Sequence, residues 1–78
     1  IRVVIRNWII DSHKQIPRFP DEGFMIVQLR GGELATVIDG QRQERHEGEF
    51  WTVLIGSSMA VETGNDSATL QAMAVRSE

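Results

Sequence analysis

The chain contains no cysteine. That excludes disulfides, thiolate nucleophiles and cysteine-ligated metal sites, and it leaves the redox compartment, and with it the localisation, open. Long apolar runs are missing as well: none approaches the ~18 residues that a membrane-spanning helix needs. No signal-peptide pattern is visible. The sequence opens on Ile1, not Met, which leaves room for a segment ahead of it. Positive charge is in short supply, with eight Lys and Arg against eleven Asp and Glu and a net charge of −3. Such a balance gives no general attraction for phosphate backbones, and no run interleaves aromatic and basic residues as a nucleic-acid platform does. Neither nucleic acid nor a membrane is therefore expected as a partner. No segment repeats apolar residues at helical spacing, and no low-complexity tract or internal repeat is present.

What is present reads as β-structure. "RVVIRNWII", residues 2–10, is rich in β-branched residues, and "GFMIVQLR", residues 23–30, forms a second run. Glu33 to Ile38 is a third, closed by Asp39-Gly40, a strong two-residue hairpin signal. Gln41 to His46, Phe50 to Leu54, Met59 to Thr63 and Ala68 to Val75 complete a set of about seven strands. Strands and turns at intervals of roughly 8–12 residues predict an all-β sandwich or barrel. The 78 residues suffice for one domain: an N-terminal strand and Pro-containing loop over 1–22, and the core of the barrel over 23–78. A chain of this size buries about 60–65 % of its unfolded surface, so its core is thin and a second copy is a plausible extension of it. A homodimer is expected.

Period-2 alternation divides each strand into two faces. Met25, Val27 and Leu29 share a face that should point inward, as do Met59, Val61 and Thr63, and Ala68, Leu70, Ala72 and Ala74. The first strand is apolar on both faces: Ile1, Val3, Ile5 and Ile9 on one, Val4, Trp8 and Ile10 on the other. A strand of that kind is usually covered on both sides. Trp8 and Trp51 are candidates for core or interface. Because Phe50 and Trp51 are adjacent, one ring should point in and the other out.

The run from Arg30 to Val75 resembles a cupin, the small jelly-roll barrel. The second cupin motif reads G-D-x-x-x-x-P-x-G-x-x-H-x-x-x-N. Gly48-Glu49 matches its opening pair with Glu for Asp, and Gly56 matches its later glycine. Leu54 stands at the proline, Met59 at the histidine and Thr63 at the asparagine. If the last glycine of the first motif is Gly32, its glutamate falls on Met25, and its two histidines fall on Arg18 and Pro20 or on Phe19 and Asp21. In metal-binding cupins those four positions hold iron, manganese, nickel or zinc. Thioethers are poor ligands for iron, manganese or zinc but good fillers of an apolar interior. The resemblance thus implies a cupin-like jelly roll without a metal or other cofactor, acting as a small-molecule binder or as a structural and dimerising unit.

The expected pocket lining is Met25, Val27, Met59 and Val61, with Arg18 placed to meet an anionic part of a small, largely apolar ligand. Phe24, Gln71 or Met73 would join it if the strands faced the other way. The alternative is a metal-dependent cupin enzyme, of dioxygenase or isomerase type, with atypical ligands around His13 and Asp21. His46 lies beside a turn, and the carboxylates are scattered through turns with no spacing that implies a shared site. No serine sits in a nucleophile elbow, and no catalytic residue is assigned. The segment from Asp11 to Glu22, broken by Pro17 and Pro20, is expected to be a long functional loop or an arm.

Overall fold

In a computed structural model, residues 1–19 and 23–76 are described. They form eight strands: β1 (Arg2–Ile10), β2 (Gln15–Ile16), β3 (Phe24–Gly31), β4 (Leu34–Ile38), β5 (Gln41–Arg45), β6 (Phe50–Val53), β7 (Met59–Thr63) and β8 (Ala68–Arg76). No helix occurs among the described residues. The strands make two four-stranded sheets, ordered β1-β8-β3-β6 and β2-β7-β4-β5, with every pairing antiparallel. The all-β expectation holds, and the seven expected strands lie within a residue or so of the observed ones.

The eighth strand corrects the reading of the Asp11–Glu22 segment as one long loop. Gln15 and Ile16 pair with Glu62 and Val61 at the edge of the second sheet. The turn ahead of them is held by His13 N–H to the Gly64 carbonyl (2.8 Å). Lys14 N–H donates to Thr63 Oγ1 (2.9 Å), and Thr63 N–H donates back to the Lys14 carbonyl (2.9 Å). Pro17 follows at once and lacks the N–H that continued pairing needs. Two residues carry no legible alternation, which is why the pattern did not announce this strand. Beyond it, Phe19 buries its ring in the core, with its N–H on the Met59 carbonyl at 2.7 Å.

The inward faces are those the alternation named. Met25, Val27 and Leu29 of β3, Met59 and Val61 of β7, and Ala68, Leu70, Ala72 and Ala74 of β8 join one apolar cluster between the sheets. Trp51 points in and Phe50 points out. On β1 the structure resolves the ambiguity: Ile10 is in the core and Val4 and Trp8 pack on it, while Ile1, Val3, Ile5 and Ile9 are exposed. Phe24, Gln71 and Met73 alternate with core residues and lie away from the interior.

The turns explain the residues that gave the cupin resemblance. Asp39 and Gly40 both have positive φ, 51° and 81°, the signature of a type I′ hairpin between β4 and β5. Glu49 closes its own turn, accepting the His46 N–H on its carboxylate at 2.9 Å. Gly48 donates to the Leu29 carbonyl and Leu29 to the Glu49 carbonyl, so this turn is stitched to β3. Ser57 N–H reaches the Leu54 carbonyl at 3.0 Å across Ile55-Gly56. Gly32, between β3 and β4, has φ +78°, and a Cβ there would lie 2.0 Å from the Ser67 carbonyl oxygen. No side chain fits without moving the start of β8. Gly32→Ala should therefore destabilise the domain by about 1–3 kcal/mol from the backbone conformation, plus the cost of the clash. Urea unfolding should show a lower midpoint with an unchanged slope.

Candidate functional site

The candidate site lies between the sheets, where the residues singled out in the sequence converge. Val27 and Val61 have no exposed surface, and Met25 and Met59 retain almost none. Met59, on β7, receives the indole N–H of Trp51, on β6, at 3.3 Å from its sulfur. This contact joins the first sheet to the second across the core. The Arg45 guanidinium covers the Trp51 ring at 4.4 Å and donates through Nε to the buried Thr36 hydroxyl at 3.0 Å. A cation over an aromatic face is attracted by the ring's quadrupole. The interior is thus closed at this end by a stack of Arg45, Trp51 and Met59.

At the other end it is less complete. Val4, Arg6, Trp8, Phe19, Met25, Ala72 and Ala74 line a hollow of about 10 Å³, roughly the space one water needs. Trp8 and Phe19 meet edge to face, with centroids 5.0 Å apart. Trp8 Nε1 is buried and has no hydrogen-bond partner among the described residues. Of the four expected lining residues only Met25 touches this hollow; Val27, Met59 and Val61 are close-packed core. Arg18 is exposed, on the segment that carries Phe19. Trp8 and Phe19 were not named as site residues. The signal available for Phe19 was a lone aromatic between two prolines in a polar segment.

No family model matches the sequence, and no curated protein sequence matches it. Solved structures do match. A cupin family protein from Methanocaldococcus jannaschii with a double-stranded β-helix fold superposes with a TM-score of 0.83 at 17 % identity, covering 94 % of this chain and 69 % of its own. This chain has the cupin fold. A predicted oxalate decarboxylase from Thermotoga maritima matches with a TM-score of 0.79 at 19 % identity, covering 90 % of this chain and 63 % of its own. A polyketide cyclase from Streptomyces resistomycificus matches at 0.82 and 18 %, covering 94 % and 54 %. The chain spans between about half and seven-tenths of the length of these three cupin-fold proteins.

The residues that the resemblance sets at the cupin metal positions lie as follows. Met59 and Met25 face the interior as thioethers, Phe19 is a buried phenyl ring, and Arg18 is a surface cation. Asp21 and Pro20 lie outside the described residues. A first-row divalent metal needs three or four imidazole, carboxylate or thiolate donors around one point, and this donor set does not fit one. Among the described residues no group of three or more His, Cys, Asp and Glu comes together. His13 is exposed in a turn with φ 56°. His46 pairs at 2.9 Å with Glu33, and both side chains are mostly exposed, a surface contact of little energetic weight.

If Met59 sulfur serves as the acceptor for Trp51, replacing it without changing the volume should expose that role. Met59→Leu conserves bulk but leaves the indole N–H buried and unpaired, for an expected loss of about 1–2 kcal/mol. Combining it with Trp51→Phe should cost less than the two single changes added together, by about 0.5–1 kcal/mol in a denaturation cycle. Strict additivity would show that the contact carries no energy.

Proposed function

We propose that this chain is a metal-independent cupin module that binds a small, largely apolar molecule at the hollow beside Trp8. The observation that carries the reading is the Trp8 indole N–H, buried next to that hollow without an acceptor among the described residues. A buried unpaired donor costs about 1–3 kcal/mol, which an incoming carbonyl or carboxylate oxygen recovers. Apolar walls from Val4, Phe19, Met25 and two alanines select for a hydrocarbon body. The hollow as it stands holds no more than a water, so a larger ligand enters by displacing the Phe19 segment. Among the described residues that segment is attached through the Phe19 backbone bond to Met59 and the short β2 pairing.

The metal-dependent alternative has less support. Methionines fill two of the four ligand positions, and exposed His13 is the sole described residue of its proposed ligand pair.

A thermal-shift screen of small apolar and anionic compounds, run with and without manganese, iron, nickel and zinc, tests both readings. A compound at a hundred times its Kd stabilises by about 2.7 kcal/mol, or roughly 10–20 °C in a domain of this size. The shift should not need metal, and Trp8→Phe should weaken it. Near-stoichiometric metal in purified protein, lost in Met25→Ala or Met59→Ala, would overturn the proposal.

A further inference from the structure

Each sheet has two edge strands, and they are protected to different degrees. β1 carries Arg2 and Arg6, β5 carries Arg42, Glu44 and Arg45, and β2 is two residues long and runs into Pro17. Charge, brevity and proline keep a sheet edge from pairing with other chains. β6 is four residues long, but no charged residue and no proline occurs from Phe50 to Val61. Phe50 is 70 % exposed, and Leu54 and Ile55, which carry the strand into its turn, are 60 % and 77 % exposed. The open side of β6 presents backbone groups in a fixed order. Leu29 N–H donates to the Glu49 carbonyl, and the Leu29 carbonyl accepts the Gly48 N–H. Antiparallel residue pairs alternate between bonded and unbonded. Val27 and Met25 therefore bond Trp51 and Val53, while Gln28 and Ile26 sit opposite Phe50 and Thr52 without bonding them. The N–H and C=O groups of Phe50 and Thr52 point away from β3, and no described residue takes them up.

The space beside that edge is uncovered. Gln41, Gln43 and Arg45 of β5 pair with Ile38, Thr36 and Leu34 of β4 and share the inner side of their sheet. Leu34 and Thr36 are buried, yet Gln41 and Gln43 are exposed, because β6 is the last strand of the opposite sheet and does not reach over them. A hollow of about 320 Å³ lies there, lined by Ile38, Asp39 and the three β5 residues. Arg45 faces it. Its guanidinium lies 4.4 Å from the Trp51 ring and its Nε donates to Thr36. No carboxylate among the described residues pairs with it. We propose that this edge takes up an extended segment of another protein as a fifth strand of the β1-β8-β3-β6 sheet, one that alternates apolar and polar side chains and sets a single acid beside Trp51, over Arg45.

The chemistry of the occupant follows from what each of its faces meets. In strand addition the main chain supplies affinity and alternate side chains supply specificity. Residues opposite Phe50 and Thr52 bond to their free N–H and C=O groups and point to the outer face. There Phe50 and Ile26 border a shallow groove of about 290 Å³, which suits apolar side chains. The residue opposite Trp51 points to the inner side, where the uncompensated Arg45 attracts a carboxylate. Its neighbours on that side lie over the amides of Gln43 and Gln41, which suit hydroxyl or amide side chains. Glu47 and Glu49 stand in the turn ahead of β6 and oppose a second acid at that end. A second β6 brings no carboxylate, so charge complementarity selects a different protein over another copy of this one. The edge is separate from the hollow beside Trp8, and this inference does not rest on the ligand reading.

Two end-blocked heptapeptides test it, Val-Thr-Val-Glu-Val-Thr-Val and the same sequence with lysine in place of the glutamate, by calorimetry and by amide exchange in NMR. In the free chain the Phe50 and Thr52 amides should exchange at least about tenfold faster than those of Trp51 and Val53. The glutamate peptide should bind with a Kd below about 100 µM and slow both outer amides at least about tenfold, and the lysine peptide should bind at least about tenfold more weakly. Arg45→Gln should bring the two peptides within about twofold of each other, which a general loss of structure would not do. N-methylation of the two valines that flank the glutamate removes the N–H groups that face β6 and should abolish binding, whereas N-methylation of the two threonines should not. That control leaves the protein untouched. No binding of the glutamate peptide at about 1 mM overturns the proposal. So does a lysine peptide that binds as tightly, or undiminished binding after methylation of those valines. Slowing of the Phe50 and Thr52 amides on concentrating the chain without peptide would assign the edge to a second copy and overturn it as well.

Discussion

Met59 ties three parts of the chain to one point. Its sulfur accepts the Trp51 indole from the opposite sheet, its carbonyl accepts Phe19 from the segment ahead of β3, and its backbone pairs with Ile38 in β4. The sheets of a small sandwich share few contacts besides apolar packing, which is non-directional. A directional contact across the core fixes how one sheet sits over the other. A soft, polarizable thioether suits that place, because it packs as a hydrophobe and still accepts a hydrogen bond.

The residues at the positions of the cupin motifs fall into two physical groups. Gly32, Gly48, Glu49, Gly56 and Thr63 shape turns or pin the β2 segment, and they do so with backbone geometry and short local bonds. The positions where a metal-binding cupin places its ligands are held here by Met25, Met59, Phe19 or Arg18. The turns that shape the scaffold are closed by backbone geometry and protein hydrogen bonds. Met25, Met59 and Phe19 contribute apolar burial, about 1.5–3 kcal/mol for each large side chain taken from water. For a domain of this size that is a substantial share of its stability.

The strands, their inward faces and the Asp39-Gly40 hairpin were legible because each is written locally, as period-2 alternation or as a turn dipeptide. The β2 strand was not, since two residues between a turn and a proline carry no period. Phe19 was read as part of a loop because its partner, the carbonyl of Met59, lies forty residues on. The same holds for Trp8: its burial shows in the apolar pattern of β1, but the lack of an acceptor for its N–H among the described residues depends on what β3, β8 and the Phe19 segment bring beside it. Arg18, chosen for charge and position, stayed on the surface while its neighbour Phe19 turned inward.

The sequence alone determined the all-β class and the two faces of every long strand, because residue type and local spacing decide those matters. Tertiary structure decided which apolar face of β1 became interior. Alternation can say that Val4, Trp8 and Ile10 share a side and that Val3, Ile5 and Ile9 share the other, but both sides are greasy. The choice follows from the antiparallel register with β8, which aligns Trp8 with Leu70 and Val4 with Ala74. Once Leu70 and Ala74 are committed to the core, Val3, Ile5 and Ile9 are left facing outward beside Met73 and Ile26. That long-range pairing set the hollow beside Trp8 and the apolar sheet face together.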